Sequence, residues 1–322
     1  MSFEMKSILR SGLRHLVVGS VFALGSVVAI GALGISSDVM AQATSSGAVE
    51  IQPAADLPTA ADLFAKHVAA VGGEKAVRSH KSSKTKATFN MPAMGMTADM
   101  LIYSAAPNKM YLDMTIPSMG SMQQGYDGKV GWSVDPMSGA RVLSGEELKQ
   151  MALQADFYAD LNYKDHYKEM KTLEKTVFAD RPSYRVHVVT TFGSETDFFF
   201  DVENGLLNGM ESTAESQMGP VKSTTVLSEY KDFGGVKHAA KTTMSAFGQE
   251  QILTLNSVEY DGVEPSVFVL PEQIKTLAAE AKKADGDDDE DDDDHGEGDD
   301  DDDEGDDDDD EGDDDDDDGD GG

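Results

Sequence analysis

The sequence predicts an α+β domain: a curved antiparallel sheet of about 9–11 strands, forming an incomplete barrel and covered by a few amphipathic helices. Three observations predict it. From about residue 82 onward, apolar side chains recur at every second position, the period of a strand with one buried face. The breaks between these runs are turn dipeptides: Asp127-Gly128, Asn204-Gly205, Gly234-Gly235 and Asp261-Gly262. Apolar residues at helical spacing occur before the strands, once among them and once after them. Consecutive hairpins pair side by side, which gives a meander with one polar and one apolar face. A sheet of this size curls, and its apolar face then needs a cover, which the helices supply.

The chain opens with Lys6, Arg10 and Arg14, followed by an uncharged apolar run over Leu16–Ile35. Val39 and Ala41 are the small residues that a signal peptidase accepts before its cut. The run is long enough to span a bilayer. Its four glycines and the cleavage site favour a removed signal peptide over 1–41 and Sec-type export to the periplasm, an uncleaved inner-membrane anchor being the lesser alternative. Residues 42–57 read as a linker. Thr59 and Asp62 then open a helix that places Leu63, Phe64, His67, Val68 and Val71 on one face and ends at Gly72-Gly73. His67 is expected there as a packing residue.

Among the strands, "KATFNM" alternates Ala87, Phe89 and Met91, and "KMYLDMTIP" places Met110, Leu112, Met114 and Ile116 on one side. "RPSYRVHVVTTFG" sets Tyr184, Val186 and Val188 against Arg185 and His187. Shorter runs follow as far as "QILTLNSVEY". Ser144 and Glu147 form the pattern of a capping box before a helix whose face carries Leu148, Met151, Ala152, Ala155 and Tyr158. Pro271 opens a last helix. The folded domain is thereby placed at 58–284.

Residues 285–322 hold 29 acidic residues, eight glycines, one histidine and no Lys or Arg. They supply most of the formal charge of −35 and leave 32 acids against 26 bases in the rest of the chain. A segment with no apolar side chain buries nothing and repels itself, so an extended, disordered tail is expected. The heptad "GDDDDDE" occurs at 298–304 and again at 305–311. It approaches an EF-hand loop, but no amphipathic helix flanks it and it lacks the apolar position of a stacking calcium repeat. Diffuse attraction of divalent cations or polycations is the expectation, and no nucleic-acid partner is expected.

Chemistry-bearing motifs are sparse. The chain has no cysteine, so it contains neither a thiol nucleophile nor a disulfide. No histidine spacing matches a metal motif, and neither a G-x-S-x-G elbow nor a phosphate loop occurs. Asp165 and His166 are neighbours in sequence and point apart on any regular element. His238, beside the Gly234-Gly235 turn, is expected to be exposed. No enzymatic role, no metal and no cofactor are expected.

Methionine is the unusual feature, with nine between positions 91 and 137. Thioethers bind Cu(I), line pliable apolar grooves and fill ordinary cores. All three readings stay open. The groove candidates are Phe89, Met91, Met94, Met96, Met100, Met110, Leu112, Met114, Met122 and Trp132, of which Trp132 also suits a core anchor.

The stretches "AVGGEKAVRSHKS", "NMPAMGM", "APNKMYLDM", "QQGYDGKVGWSVDPMSG", "LSGEELKQMALQADFYADL", "FDVENGLL", "SEYKDFGGVKHA" and "VFVLPE" occur in this order. In that order they resemble bacterial outer-membrane lipoprotein-sorting-like proteins of the LolA/LolB-like superfamily, over roughly residues 58–273. The resemblance implies an incomplete barrel around an apolar cavity with a helical lid, in the periplasm, holding acyl chains of lipids or lipoproteins. The chain lacks the cysteine of the lipid-anchored receptor form and adds the acidic tail, and no functional residue of the family is carried over. The alternative is an exported structural or cation-binding protein whose tail binds Ca²⁺ or polycations diffusely.

Overall fold

The computed structural model describes residues 57–117, 120–216 and 219–284. The expected signal peptide, all but the last residue of the expected linker, and the acidic tail lie outside the described residues. Among the described residues, no helix is long and apolar enough to cross a membrane.

Two helices lead in, α1 (Ala60–Val71) and α2 (Gly73–Ser79). Strands β1 (Ser82–Met91), β2 (Met96–Ala105), β3 (Lys109–Ile116), β4 (Gly120–Tyr126), β5 (Gly131–Asp135) and β6 (Gly139–Val142) follow as successive hairpins. Helices α3 (Gly145–Gln154) and α4 (Tyr163–His166) interrupt them. The second meander comprises β7 (Tyr167–Phe178), β8 (Arg181–Thr190), β9 (Glu195–Asp201), β10 (Leu207–Ser216), β11 (Gly219–Phe233), β12 (Val236–Ala246) and β13 (Gln249–Tyr260). Helix α5 (Glu272–Ala284) comes last.

All strands join one open sheet in the order β6-β5-β4-β3-β2-β1-β13-β12-β11-β10-β9-β8-β7, antiparallel at every pairing. The incomplete barrel is therefore observed, with 13 strands where about 9–11 were expected. The surplus has a physical source. β4, "GSMQQGY", and β6, "GARV", are poor in β-branched residues, and β7, "YKEMKTLEKTVF", is rich in helix-favouring Lys and Glu. Tertiary pairing overrides those local preferences.

Thr59 caps α1 as expected: its hydroxyl accepts from the Asp62 N–H at 3.1 Å and donates to the Asp62 carboxylate at 2.6 Å. The capping box expected at Ser144 does not form. Ser144 makes no side-chain cap, and Glu147 is drawn into a bidentate pair with Arg141 of β6, at 2.6 and 2.7 Å. The helix ends at Gln154, so Tyr158 leaves its expected face and instead donates to the His80 carbonyl at 2.9 Å.

The face covered by helices is mostly apolar, with the buried threonines Thr85, Thr196, Thr225 and Thr242 set among its side chains. Under α3 lies a core built from β1–β4, β12 and β13, with Phe89, Met100, Ile102 and Leu253 each at most 1% exposed. Under α1 lies a second core built from β8–β12, with Val186, Val188, Phe200 and Leu227 equally buried. Each helix thus roofs one half of the sheet.

Candidate functional site

The candidate site is this helix-covered face together with the segment that bridges its open edges. Cross-strand register places the side chains. Met91 is opposite Met96, Met100 opposite Met114, and Met114 opposite Met122. Residues directly opposite in an antiparallel ladder point to the same side, so Met100, Met114 and Met122 form one row across β2–β4, and Met91 and Met96 form a separate pair on the same face nearer the β1–β2 tip. Phe89, Met91, Met100, Met110, Leu112 and Met114 are buried in the core below α3, and Met96 and Met122 pack partly buried against it. Met151 of α3 closes the row from above.

Two of the sequence-derived groove residues lie elsewhere. Met94 sits on the tip between β1 and β2 and is 44% exposed. Trp132 pairs with Gly125, which pairs with Tyr111, which pairs with Tyr103, so the indole belongs to the opposite face of the sheet. Its ring stands 6.0 Å from that of Tyr111. Sequence alternation cannot locate Trp132, because Gly131, Trp132 and Ser133 are all buried and show no in–out rhythm.

Helix α3 is tied to both halves of the sheet, at the edge strand β6 and at the β8–β9 turn. The Arg141–Glu147 pair holds it to β6. On the other side Gln150 donates to the Ser194 hydroxyl at 3.5 Å, and that hydroxyl donates to Glu146 at 3.2 Å. The Gln150 carbonyl oxygen is buried with no hydrogen-bond partner, an unsatisfied group that weakens the clasp. After α3 the chain crosses the gap. The Phe157 N–H donates to the Pro107 carbonyl at 3.0 Å, and His166 meets Asp156 at 2.8 Å. Burial pushes the Asp156 carboxyl up, but hydrogen bonds from His166, Asn162 and the Tyr158 N–H outweigh it and hold the group below its usual range. His166 is thus engaged by Asp156 and not by the adjacent Asp165. Beside this crossing runs an open groove of about 590 Å³, lined by Ala152, Leu153, Asn162, His166, Phe192 and Pro107 among others.

Below α1 the interior is aromatic and closely packed. Phe64 stacks on Tyr163 at 4.6 Å and meets Phe200 edge-on at 5.0 Å. A cavity of about 50 Å³ remains, lined by Phe64, His67, Asp160, Tyr167, Tyr230 and His238 among others. The large hollow that the family resemblance implies is absent at this place, because α1 and the strap before β7 fill it with rings. His67 is a buried packing residue, as expected, and its Nδ1 lies 3.3 Å from the Gly205 carbonyl. His238, expected to be exposed, is half-buried with its Nε2 2.6 Å from the Tyr260 hydroxyl. Burial lowers the pKa of both imidazoles, while the charge of Asp160 opposes that shift. The same burial raises the Tyr167 and Tyr230 phenols. Asp160 and Tyr230 carried no sequence signal, since they come together from positions seventy residues apart.

Among the described residues, no group of three or more His, Asp or Glu side chains is arranged to hold a metal ion. What the face offers is apolar contact area and adaptable side chains beneath a helical cover.

No family model matches the chain, and no curated protein matches it. Among solved structures it is similar to a DUF1329 family protein from Desulfovibrio piger, with 12% identity, covering 65% of this chain and 97% of that one at a TM-score of 0.48. It is similar to a LolA superfamily protein from Nitrosomonas europaea, with 13% identity, covering 66% and 99% at a TM-score of 0.48. It is also similar to a putative outer membrane lipoprotein-sorting protein domain from Vibrio parahaemolyticus, with 12% identity, covering 64% and 94% at a TM-score of 0.45. At this identity they are likenesses of fold alone.

Proposed function

We propose that this protein is an exported, periplasmic, non-enzymatic carrier that holds the acyl chain of a lipid or lipoprotein against the methionine-rich face beneath α3. The observation that carries this is the methionine-rich core beneath α3, with the row of Met100, Met114 and Met122 and the Met91–Met96 pair, under a helix that meets it through adaptable apolar contacts and is otherwise held by two polar clasps. Thioether side chains are unbranched and repack around guests of different shape at low cost. Burying an acyl chain contributes about 0.8 kcal/mol per methylene, so a long chain readily offsets the opening of two clasps. Drug-sized guests occupy roughly 300–1,000 Å³, far more than the enclosed space under α1, so room comes from lifting α3 beside the open groove.

The test is direct. The chain from Gln42 onward, stripped of lipid, is titrated with a fluorescent fatty acid and with a triacylated peptide. Saturable uptake is expected, together with weaker uptake when Met100 and Met114 are both replaced by the β-branched Ile. No saturable uptake of either probe would remove the carrier function.

A further inference from the structure

Four hairpins that are neighbours in the sheet, β12–β13, β1–β2, β3–β4 and β5–β6, all turn at the same end of their strands. The turn Pro92–Met94 packs on β13, and Pro136 lies against Gly120, where an added side chain would begin 3.0 Å from it. Three of these tips present large apolar side chains to solvent: Met94 at 44% exposure, Met137 at 68% and Phe247 at 63%. Tip residues Pro92–Gly95, Pro136–Ser138 and Phe247-Gly248 include no charged residue.

The other end of the same strands is built differently. Its turns carry or adjoin Asp127 and Lys129, Lys109, Lys81 and Asp261, and Asp232 and Lys237. One end of this half of the sheet is therefore charged and the other is apolar. The acids near this end stand behind the tips: Asp135 is half-buried with its Oδ1 accepting from the Met137 and Ser138 N–H groups at 2.9 and 2.7 Å, and Asp99 and Glu250 are exposed on the strands.

Phe247 is the most telling residue. Its backbone is left-handed, φ 53°, a conformation that favours Gly or Asn and penalises a bulky side chain. Neither burial nor backbone preference accounts for a phenylalanine at an exposed left-handed turn.

We infer that these tips dip into the headgroup–acyl boundary of a lipid bilayer, so that the methionine row opens onto the membrane surface. A set of apolar hairpin tips at one end of the sheet suits insertion into an interface. It carries no cluster of cations, so the bilayer it fits is zwitterionic and binding does not depend on anionic lipid. Just inside the tips stand Met91, Met96, Met122 and Met244 on the helix-covered face, which gives an apolar path inward without interruption by charge. That path as a route for an acyl guest rests on the proposed carrier function, whereas the contact with the bilayer rests on the tips alone.

The test uses the chain from Gln42 onward; all thirteen strands and both cores lie beyond that point. Flotation with phosphatidylcholine–phosphatidylethanolamine vesicles is compared for the native sequence and for Met94→Ser, Met137→Ser and Phe247→Asn combined. Native protein should float, high salt should not release it, and the triple variant should partition more than about tenfold less. Phe247→Asn alone should leave the melting temperature unchanged or raised, the opposite of what a structural role would give. Absence of flotation, release by salt, or equal flotation of the triple variant overturns the proposal. So does a concentration-dependent dimer, abolished by the triple variant, in protein that does not float, because the rim would then join two copies of the chain. Uptake of the soluble acyl probe is measured in parallel. If uptake fails while flotation persists, the carrier function falls and the membrane contact stands.

Discussion

Gly125 lies under the Trp132 indole, and a side chain there would begin 2.6 Å from the ring. Overpacking of this kind costs about 1–3 kcal/mol, so Gly125→Ala should lower the urea midpoint accordingly without changing acyl uptake, since the indole is on the far face of the sheet. The histidines set a second expectation at this scale. Burial lowers the pKa of His67 and His238 below the usual 6.5, against the pull of Asp160. The unfolded chain takes up protons near about pH 6.5 while the folded chain does not, so their contribution to stability is complete above that value and declines as the pH falls through it. Asp156, held below its usual range, adds a further loss at more acidic pH. Denaturation followed across this range should show falling stability on acidification, and His238→Gln should flatten the part near neutrality. A flat profile in the native protein would contradict the buried, neutral imidazoles.

In the proposed function helix α3 is the element that lifts, since its apolar face is shared with the sheet while its two flanking clasps are polar. Removing both clasps, with Arg141→Ala and Ser194→Ala, should cost about 1–2 kcal/mol in total and speed acyl uptake severalfold in stopped-flow fluorescence. An unchanged rate would place the entry elsewhere. The elements differ in how legible they were. α1 announced itself through Thr59, Asp62 and its apolar face, and the strands with clean alternation, such as β3 and β8, stood out by period. β4, β6 and β7 did not, because they become strands by pairing with neighbours and not by the preferences of their own residues. The methionine row was visible as composition and alternation, yet its burial under α3 followed from the register, and the fate of Glu147 could not be read before Arg141 was placed beside it.

The whole molecule divides the labour between two half-cores. The half under α1 is aromatic, with four rings packed about Phe64, and the half under α3 is thioether-rich. The first suits a rigid support and the second suits accommodation. Amide hydrogen exchange should accordingly show the strongest protection in β8–β11 and weaker protection in α3 and β4–β6, with the latter rising when an acyl guest is bound. Uniform protection across both halves would argue against a pliable side.

The pairing of β1 with β13 joins residues 83–90 to 252–260 at the middle of the sheet. Each meander can zip up from local turns, but the seam that unites them needs a partner about 170 residues later in the chain, the kind of long-range closure that slows folding. A polypeptide threaded through a translocation pore from its first residue cannot complete this sheet until its last strand has emerged. On the proposed export route, that delay keeps the chain threadable until that point.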